Sequence, residues 1–174
     1  MIPFREHCAT VQQHVEGRYG IRVVIRDVPD PLTGDLDGCE IHIDHAVTAE
    51  ERLFLLAHLF GHTVQWNASP RALEIGQVHQ PPVAESLLPD IMEYEREAAG
   101  YALSMLRETG ITQLDQWLSD YTACDMAYLK HYYRTGEKLA FSSFWRDATE
   151  PLQPVPIPSF VPAARTFRRD GIVI

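Results

Sequence analysis

Two histidines one helical turn apart are the residues of this chain whose types and spacing are best suited to chemistry. His58 and His62 occupy positions i and i+4 of a predicted helix, so their side chains lie on one face. That spacing lets both imidazoles reach a single ion at about 2.0–2.1 Å. Apolar residues surround the pair, and buried imidazoles need polar partners, which a shared metal would supply. The pair therefore predicts a mononuclear divalent-metal site, with zinc as the first choice.

A zinc site needs a third protein ligand, and a later predicted helix that begins at Asp90 offers three glutamates. Glu97 stands one turn before Tyr101, beside small residues that would let this helix approach another closely. Glu93 lies on the same face one turn earlier, whereas Glu95 is expected to point elsewhere. Glu97 ranks first as the third ligand and Glu93 second. The alternative for each is a solvated helix face, where an early glutamate favours the helix dipole.

The elements that must position these side chains begin with a helix over 4–19, which Gly20 ends. Residues 21–26 and 39–44 are predicted strands joined by a turn-rich connection over 29–38. In the second strand, period-two alternation puts Ile41 and Ile43 on one face. We expect an α+β fold in which a small antiparallel sheet packs on a helical half.

The predicted helices are marked by their ends. Thr48-Ala-Glu-Glu has capping-box spacing and starts the helix that carries the two histidines. Asp90-Ile-Met-Glu repeats that spacing after Pro89, and two further helices are predicted over 112–118 and 119–134. Residues 1–150 are therefore expected to form one domain, followed by an extended, Pro-rich C-terminal tail over 151–174.

Composition limits the classes of function. Among 174 residues, 15 Lys and Arg face 24 Asp and Glu, and the net charge of −9 repels a nucleic-acid backbone. The three cysteines are widely spaced and indicate neither disulfides nor a thiolate zinc site. No membrane-spanning run or signal peptide is evident, so a cytoplasmic location without membrane contact is expected. The oligomeric state stays open.

These motifs together resemble the ImmA/IrrE family of zinc-dependent metallopeptidases over roughly residues 15–107. The order of strand, capped helix with Leu-Ala-His-x-x-Gly-His, a long loop over 67–89 and Glu-x-Glu-Ala-x-x-Tyr-Ala carries the resemblance. It implies a zincin-like fold, with His58 and His62 as zinc ligands and Glu97 as the third. Gly61 falls on the glycine of the family motif. The resemblance also implies a protein substrate or partner, namely a transcriptional repressor of a stress-response or mobile-element circuit.

One position departs from the family pattern. The residue after the first histidine is Leu59, where such metallopeptidases have a glutamate that moves a proton between the metal-bound water and the leaving amine. Leucine cannot exchange a proton, so the catalytic set is incomplete. Replacement bases would come from the neighbouring strand, the long loop or the later helix: Glu40, His42, His79, Glu85 and Glu93.

Three interpretations follow from this departure. The first is a metal-binding, metallopeptidase-like protein, a pseudoenzyme with lost or weakened hydrolysis and a protein-binding or regulatory role. The alternative is an active zinc metallopeptidase that cleaves a repressor-type protein with a relocated general base. A third is a structural domain without metal. If Leu59 is the disabling change, Leu59→Glu should create or increase hydrolysis.

Overall fold

The computed structural model describes residues 2–29, 32–77 and 81–165 and has an α+β fold, as predicted. Within this part of the chain there are five α-helices and three strands. They are α1 (Phe4–Tyr19), β1 (Arg22–Arg26), β2 (Gly34–Leu36), β3 (Glu40–Asp44), α2 (Ala49–Ala68), α3 (Pro70–Gln77), α4 (Leu88–Glu108) and α5 (Asp115–Thr135). Among the described residues, no helix is both long and apolar enough to cross a membrane.

The first helix has the bounds that its apolar spacing predicts. Cys8, Val11 and Val15 are its buried residues, and they form the face that packs on α2. Gly20 follows the helix with a φ of 68°, and its backbone N–H donates to the carbonyl oxygen of Glu16. This left-handed conformation carries little cost for glycine, which explains why the helix ends there.

The sheet is mixed, which corrects the expected antiparallel arrangement. Its strand order is β1-β3-β2, with β3 parallel to β1 and antiparallel to β2. The third strand, Gly34–Leu36, lies inside the connection that was predicted to be all turn. Because the chain reverses before and after β2, β1 and β3 run in the same direction. Ile41 and Ile43 of β3 are fully buried, as the alternation predicts.

Helix α2 is the centre of the fold. Thr48 and Glu51 form the predicted capping box, with both reciprocal hydrogen bonds present. Every residue over 53–66 is buried, because α1, the sheet and α4 each cover one side of the helix. The predicted apolar stripe is therefore part of a helix that is surrounded by protein on all sides.

Two of the later helix boundaries differ from prediction. Helix α4 begins at Leu88 with Pro89 in its first turn and has no side-chain cap, so the capping box proposed at Asp90 is wrong. In place of the two helices predicted over 112–134 there is one continuous helix, α5, which begins at Asp115. Ser119, where a new helix was expected to begin, donates its hydroxyl to the carbonyl of Asp115 one turn earlier, and the helix continues through it.

The segment over 151–165 has no helix or strand and lies against α4. The backbone N–H of Val155 donates to the carbonyl of Gly100 at 3.1 Å, and the Ser104 hydroxyl donates to the carbonyl of Val155 at 2.6 Å. The extended segment therefore covers one face of α4. The remainder of the predicted tail, residues 166–174, lies outside the described residues.

The close approach of α2 and α4 depends on Gly61. A Cβ at Gly61 would lie 2.7 Å from the carbonyl carbon and 2.8 Å from the Cα of Ala98. Since backbone cannot yield as a flexible side chain can, we expect Gly61→Ala to lower the free energy of unfolding by about 3 kcal/mol. Urea unfolding of the metal-free protein measures this.

Gly17 in α1 is the matched control, because nothing lies within 4 Å of a Cβ at that position. Gly17→Ala should raise the free energy of unfolding by about 0.5–1 kcal/mol through helix propensity. Equal effects of the two substitutions would contradict the close helix contact.

Candidate metal centre

The two histidines of α2 and one glutamate of α4 meet in the interior. The Nε2 atoms of His58 and His62 are 3.0 Å apart. The Oε2 atom of Glu95 lies 3.1 Å from Nε2 of His62 and 3.6 Å from Nε2 of His58. All three side chains are buried, with exposures of 7%, 4% and 7% for His58, His62 and Glu95. Three potential ligand atoms thus converge on one point.

The spacing of these atoms fits a small divalent cation. Ligand atoms about 2.0–2.1 Å from a tetrahedral zinc are separated from one another by about 3.3 Å. The observed separations of 3.0, 3.1 and 3.6 Å bracket that value. Two imidazoles and one carboxylate are also the donor set of many catalytic zinc sites. The buried group His58, His62 and Glu95 could therefore hold a metal ion.

The glutamate at the site is Glu95, which corrects the sequence-based choice of Glu97 or Glu93. Glu97 instead accepts a hydrogen bond from Nε2 of Gln65 at 2.7 Å, and Glu93 is exposed and paired with Arg96. Residues two apart on a helix point in nearly opposite directions, so Glu95 cannot share a face with its two neighbours.

A signal for Glu95 was present in the sequence. The apolar residues of α4 continue backwards from Ala102 and Ala98 in steps of four and three, and the next steps reach Glu95 and Ile91. The choice of Glu97 came from its distance to Tyr101 and ignored this stripe. A carboxylate in the buried stripe of an amphipathic helix needs a buried partner, and that need distinguishes Glu95 from the other two.

Gln65 fixes the tautomer of His62. Its Nε2 donates to the carbonyl of Tyr94 at 2.9 Å and to Glu97, so its Oε1 faces Nδ1 of His62 at 2.9 Å. An amide oxygen only accepts, and Nδ1 must therefore carry the proton. The lone pair of Nε2 then faces His58 and Glu95. This is the arrangement by which metal-binding histidines are usually oriented. Glu97 thus contributes to the site through Gln65.

Aromatic rings hold both imidazoles in place. The ring of Phe54 stacks on His58 with a centroid distance of 5.4 Å, and Tyr94 stacks on His62 at 4.4 Å. The Tyr94 hydroxyl in turn accepts a hydrogen bond from Nε1 of Trp66 at 2.8 Å. The imidazoles consequently have little freedom to rotate, which favours a preorganised site.

The electrostatic environment keeps His58 neutral. Burial and the neighbouring His62 lower the pKa of His58 to about 3, although the charge of Glu95 acts in the opposite direction. Only a neutral imidazole has a lone pair for a metal ion. His58 is thus ready to coordinate throughout the neutral range, without first losing a proton.

None of the described candidates for a replacement base reaches the centre. Glu40 pairs with Arg22 and with His42, so the two candidates on the strand, Glu40 and His42, contact each other and not the metal centre. Glu85 is exposed and pairs with Arg134, and Glu93 pairs with Arg96. His79 lies outside the described residues.

Leu59 is fully buried between α2 and the edge strand β2. Its Cδ1 atom lies 2.9 Å from the position that a Cβ of Gly34 would occupy. The contact fills the space beside the first histidine with hydrocarbon. A carboxylate at position 59 would therefore lose its hydration in this packing, which the sequence alone did not indicate.

Comparison of the chain with protein-family models, curated proteins and solved structures gives no significant match.

The low pKa of His58 predicts acid destabilisation of the metal-free protein. Between about pH 6.5 and pH 3 the unfolded chain binds a proton on His58 that the folded chain does not, so stability falls as the pH falls. The contribution has an upper bound of about 5 kcal/mol. Urea unfolding at a series of pH values from about pH 4 to about pH 7 measures it.

His58→Gln should lose this share of the pH dependence, because the variant has no titrating group there. His45→Gln is the control, since His45 is an exposed histidine on the surface, and should keep the full dependence. Identical pH profiles for His58→Gln and the natural protein would contradict the assignment.

Proposed function

We propose that this chain is a zinc-binding protein of the ImmA/IrrE metallopeptidase type whose peptidase activity is lost or weakened and which acts by binding a protein partner. The observation that carries the proposal is the convergence of His58, His62 and Glu95 in a helix pair whose base position is occupied by buried Leu59. The resemblance to the family supports the class, and the departure at Leu59 supports the loss of activity.

Zinc is the metal that the donor set favours. Imidazole nitrogen and carboxylate oxygen suit zinc, and the ligand separations suit tetrahedral geometry. A bound zinc would act as a Lewis acid and lower the pKa of a coordinated water. The chain's own contribution is to hold two imidazoles and one carboxylate in its buried interior, where their mutual separations are already close to those of a metal site.

Two features argue against efficient hydrolysis. The first is the absence of a proton-transferring side chain at Leu59, because general acid–base catalysis contributes about 10²–10⁴-fold to such reactions. The second is burial, since His58, His62 and Glu95 each have exposures of 7% or less. A catalytic zinc keeps an open position for water or substrate, whereas a structural or regulatory zinc is enclosed. The site is closer to the enclosed type.

A protein partner follows from the family resemblance and from charge. The net charge of −9 disfavours direct contact with nucleic acid, so a role in gene regulation would pass through a repressor-type protein. In this proposal the zinc stabilises the fold that presents the binding surface, and the occupancy of the site regulates binding.

The first test of the proposal is metal content. Protein purified without a histidine tag should contain about one zinc per chain, because three protein ligands and one further donor complete a tetrahedral site. Zinc should be lost from each of the variants His58→Ala, His62→Ala and Glu95→Gln, since the remaining two ligands cannot complete a tetrahedral site. Elemental analysis after dialysis and reloading measures the stoichiometry.

The neighbouring glutamates provide matched controls on the same helix. Glu93→Gln removes an exposed carboxylate and Glu97→Gln keeps a hydrogen-bond acceptor for Gln65, so both variants should retain zinc. A natural protein that binds no added zinc would refute the proposal. Loss of zinc in Glu97→Gln but not in Glu95→Gln would restore the sequence-based ligand set.

The second test addresses hydrolysis. The zinc-loaded protein should not cleave a peptide library or repressor-type proteins. Leu59→Glu should not gain activity, because the buried carboxylate should lower the free energy of unfolding by about 3–5 kcal/mol. This expectation replaces the one drawn from the sequence alone. Leu59→Met, which conserves volume, should cost less than about 1.5 kcal/mol.

Peptide cleavage by the natural protein that disappears in His58→Ala would instead support the alternative of an active metallopeptidase with a relocated base.

A further inference from the structure

A buried carboxylate of α5 lies next to the metal centre, but it is not one of the three groups whose ligand atoms converge there. Asp125 is 1% exposed, and its Oδ2 atom is 4.0 Å from Nδ1 of His58. Its Oδ1 atom has no hydrogen-bond partner among the described residues. A buried carboxylate oxygen without a partner costs free energy, so this position is unfavourable for the fold alone. The sequence offered no indication of Asp125, which sits in the middle of a long helix.

Asp125 lies on the side of His58 where a metal-binding histidine would have a hydrogen-bond acceptor for its second ring nitrogen. The Nε2 atom of His58 faces His62 and Glu95, and its other nitrogen, Nδ1, faces Asp125. Metal-binding histidines usually donate the N–H of their second nitrogen to a carboxylate or carbonyl, which fixes the tautomer and the ring orientation. For His62 that acceptor is Gln65. Asp125 occupies the equivalent place for His58.

The separation of 4.0 Å is longer than a hydrogen bond, so the two side chains lie close together without being hydrogen-bonded. Glu95 and Asp125 together bring two carboxylates to one buried region, and a divalent cation beside them would balance both charges.

We propose that Asp125 is a positioning residue of the metal centre, which orients His58 through Nδ1 and supplies the second negative charge that a divalent ion requires. This inference rests on the zinc site of the proposed function. Its consequence is that α5, which otherwise packs on α4, is coupled to the ligands of α2 when metal is bound.

The proposal predicts opposite effects of one substitution on stability and on metal affinity. Asp125→Asn keeps the shape and an acceptor but removes the charge, and Asp125→Leu removes both. Zinc affinity, measured by competition with a chromophoric chelator, should fall about 10-fold to 100-fold in Asp125→Asn and further in Asp125→Leu. The unfolding midpoint of metal-free Asp125→Asn should be unchanged or higher, because no unpaired carboxylate is then buried.

Cobalt substitution gives a second readout that is independent of activity. The visible absorption of Co²⁺ bound to the natural protein reports the ligand geometry, and its bands should shift in Asp125→Asn if His58 is reoriented. A merely structural aspartate would leave the bands in place in the protein that remains folded.

Asp120 is the matched control on the same helix. It is 8% exposed, and its Oδ1 accepts hydrogen bonds of 2.8 Å from both the backbone N–H and the hydroxyl of Thr149. Asp120→Asn should lower the unfolding midpoint and leave the zinc affinity and the cobalt spectrum unchanged.

Three results would overturn the inference. The first is that both Asp125 variants fold and bind zinc as tightly as the natural protein does. The second is that the unfolding midpoint of metal-free Asp125→Asn falls as much as that of Asp120→Asn. The third is that the cobalt spectrum of Asp125→Asn is the same as that of the natural protein. A natural protein that binds no zinc would overturn the proposed function as well, and so the two failures are distinguishable.

Discussion

The contact between α2 and α4 is the constraint on which the site depends. Without a side chain at Gly61, the backbone of α2 approaches Ala98 more closely than any other residue would permit. His62 follows Gly61 directly, and Glu95 precedes Ala98 by one turn, so the same contact that joins the helices brings imidazole to carboxylate. A wider separation of these helices would leave both groups buried and unpaired, at a considerable cost in free energy.

The polar groups of the core are arranged in layers around that contact. The innermost atoms belong to His58, His62 and Glu95, and around them Gln65 connects His62 to α4. Each of these groups is buried in an apolar environment where an unsatisfied donor or acceptor is unfavourable. A metal ion would satisfy the lone pairs that face one another at the centre. The fold thus carries a buried polar cluster that could hold a metal ion.

Sequence reasoning was most successful where a local pattern has a physical cause. The histidine pair, the capping box of Thr48 and the glycine that ends α1 are each defined by neighbours within one turn, and the structure has all three. The short strand β2 was missed because Gly34 and Asp35 are typical turn residues, and its pairing with β3 compensates for their low strand propensity.

The site residues that prediction missed are those defined by tertiary contact. Glu95 was distinguishable only by extending the buried stripe of α4 backwards through Ala98, a step that the spacing from Tyr101 obscured. Asp125 carries no local signature, because an aspartate within a long helix is ordinarily solvated and nothing nearby in the sequence indicates its burial. Such residues become visible only when helices distant in the sequence are placed side by side.

Anomalous diffraction from crystals of the zinc-loaded protein at the zinc absorption edge tests the central claim most directly. The account predicts one strong peak per chain, within coordination distance of the Nε2 atoms of His58 and His62 and of the Glu95 carboxylate. A peak only at the second group of potential ligands, Asp27, Asp44 and His45, or no peak at all, would contradict it.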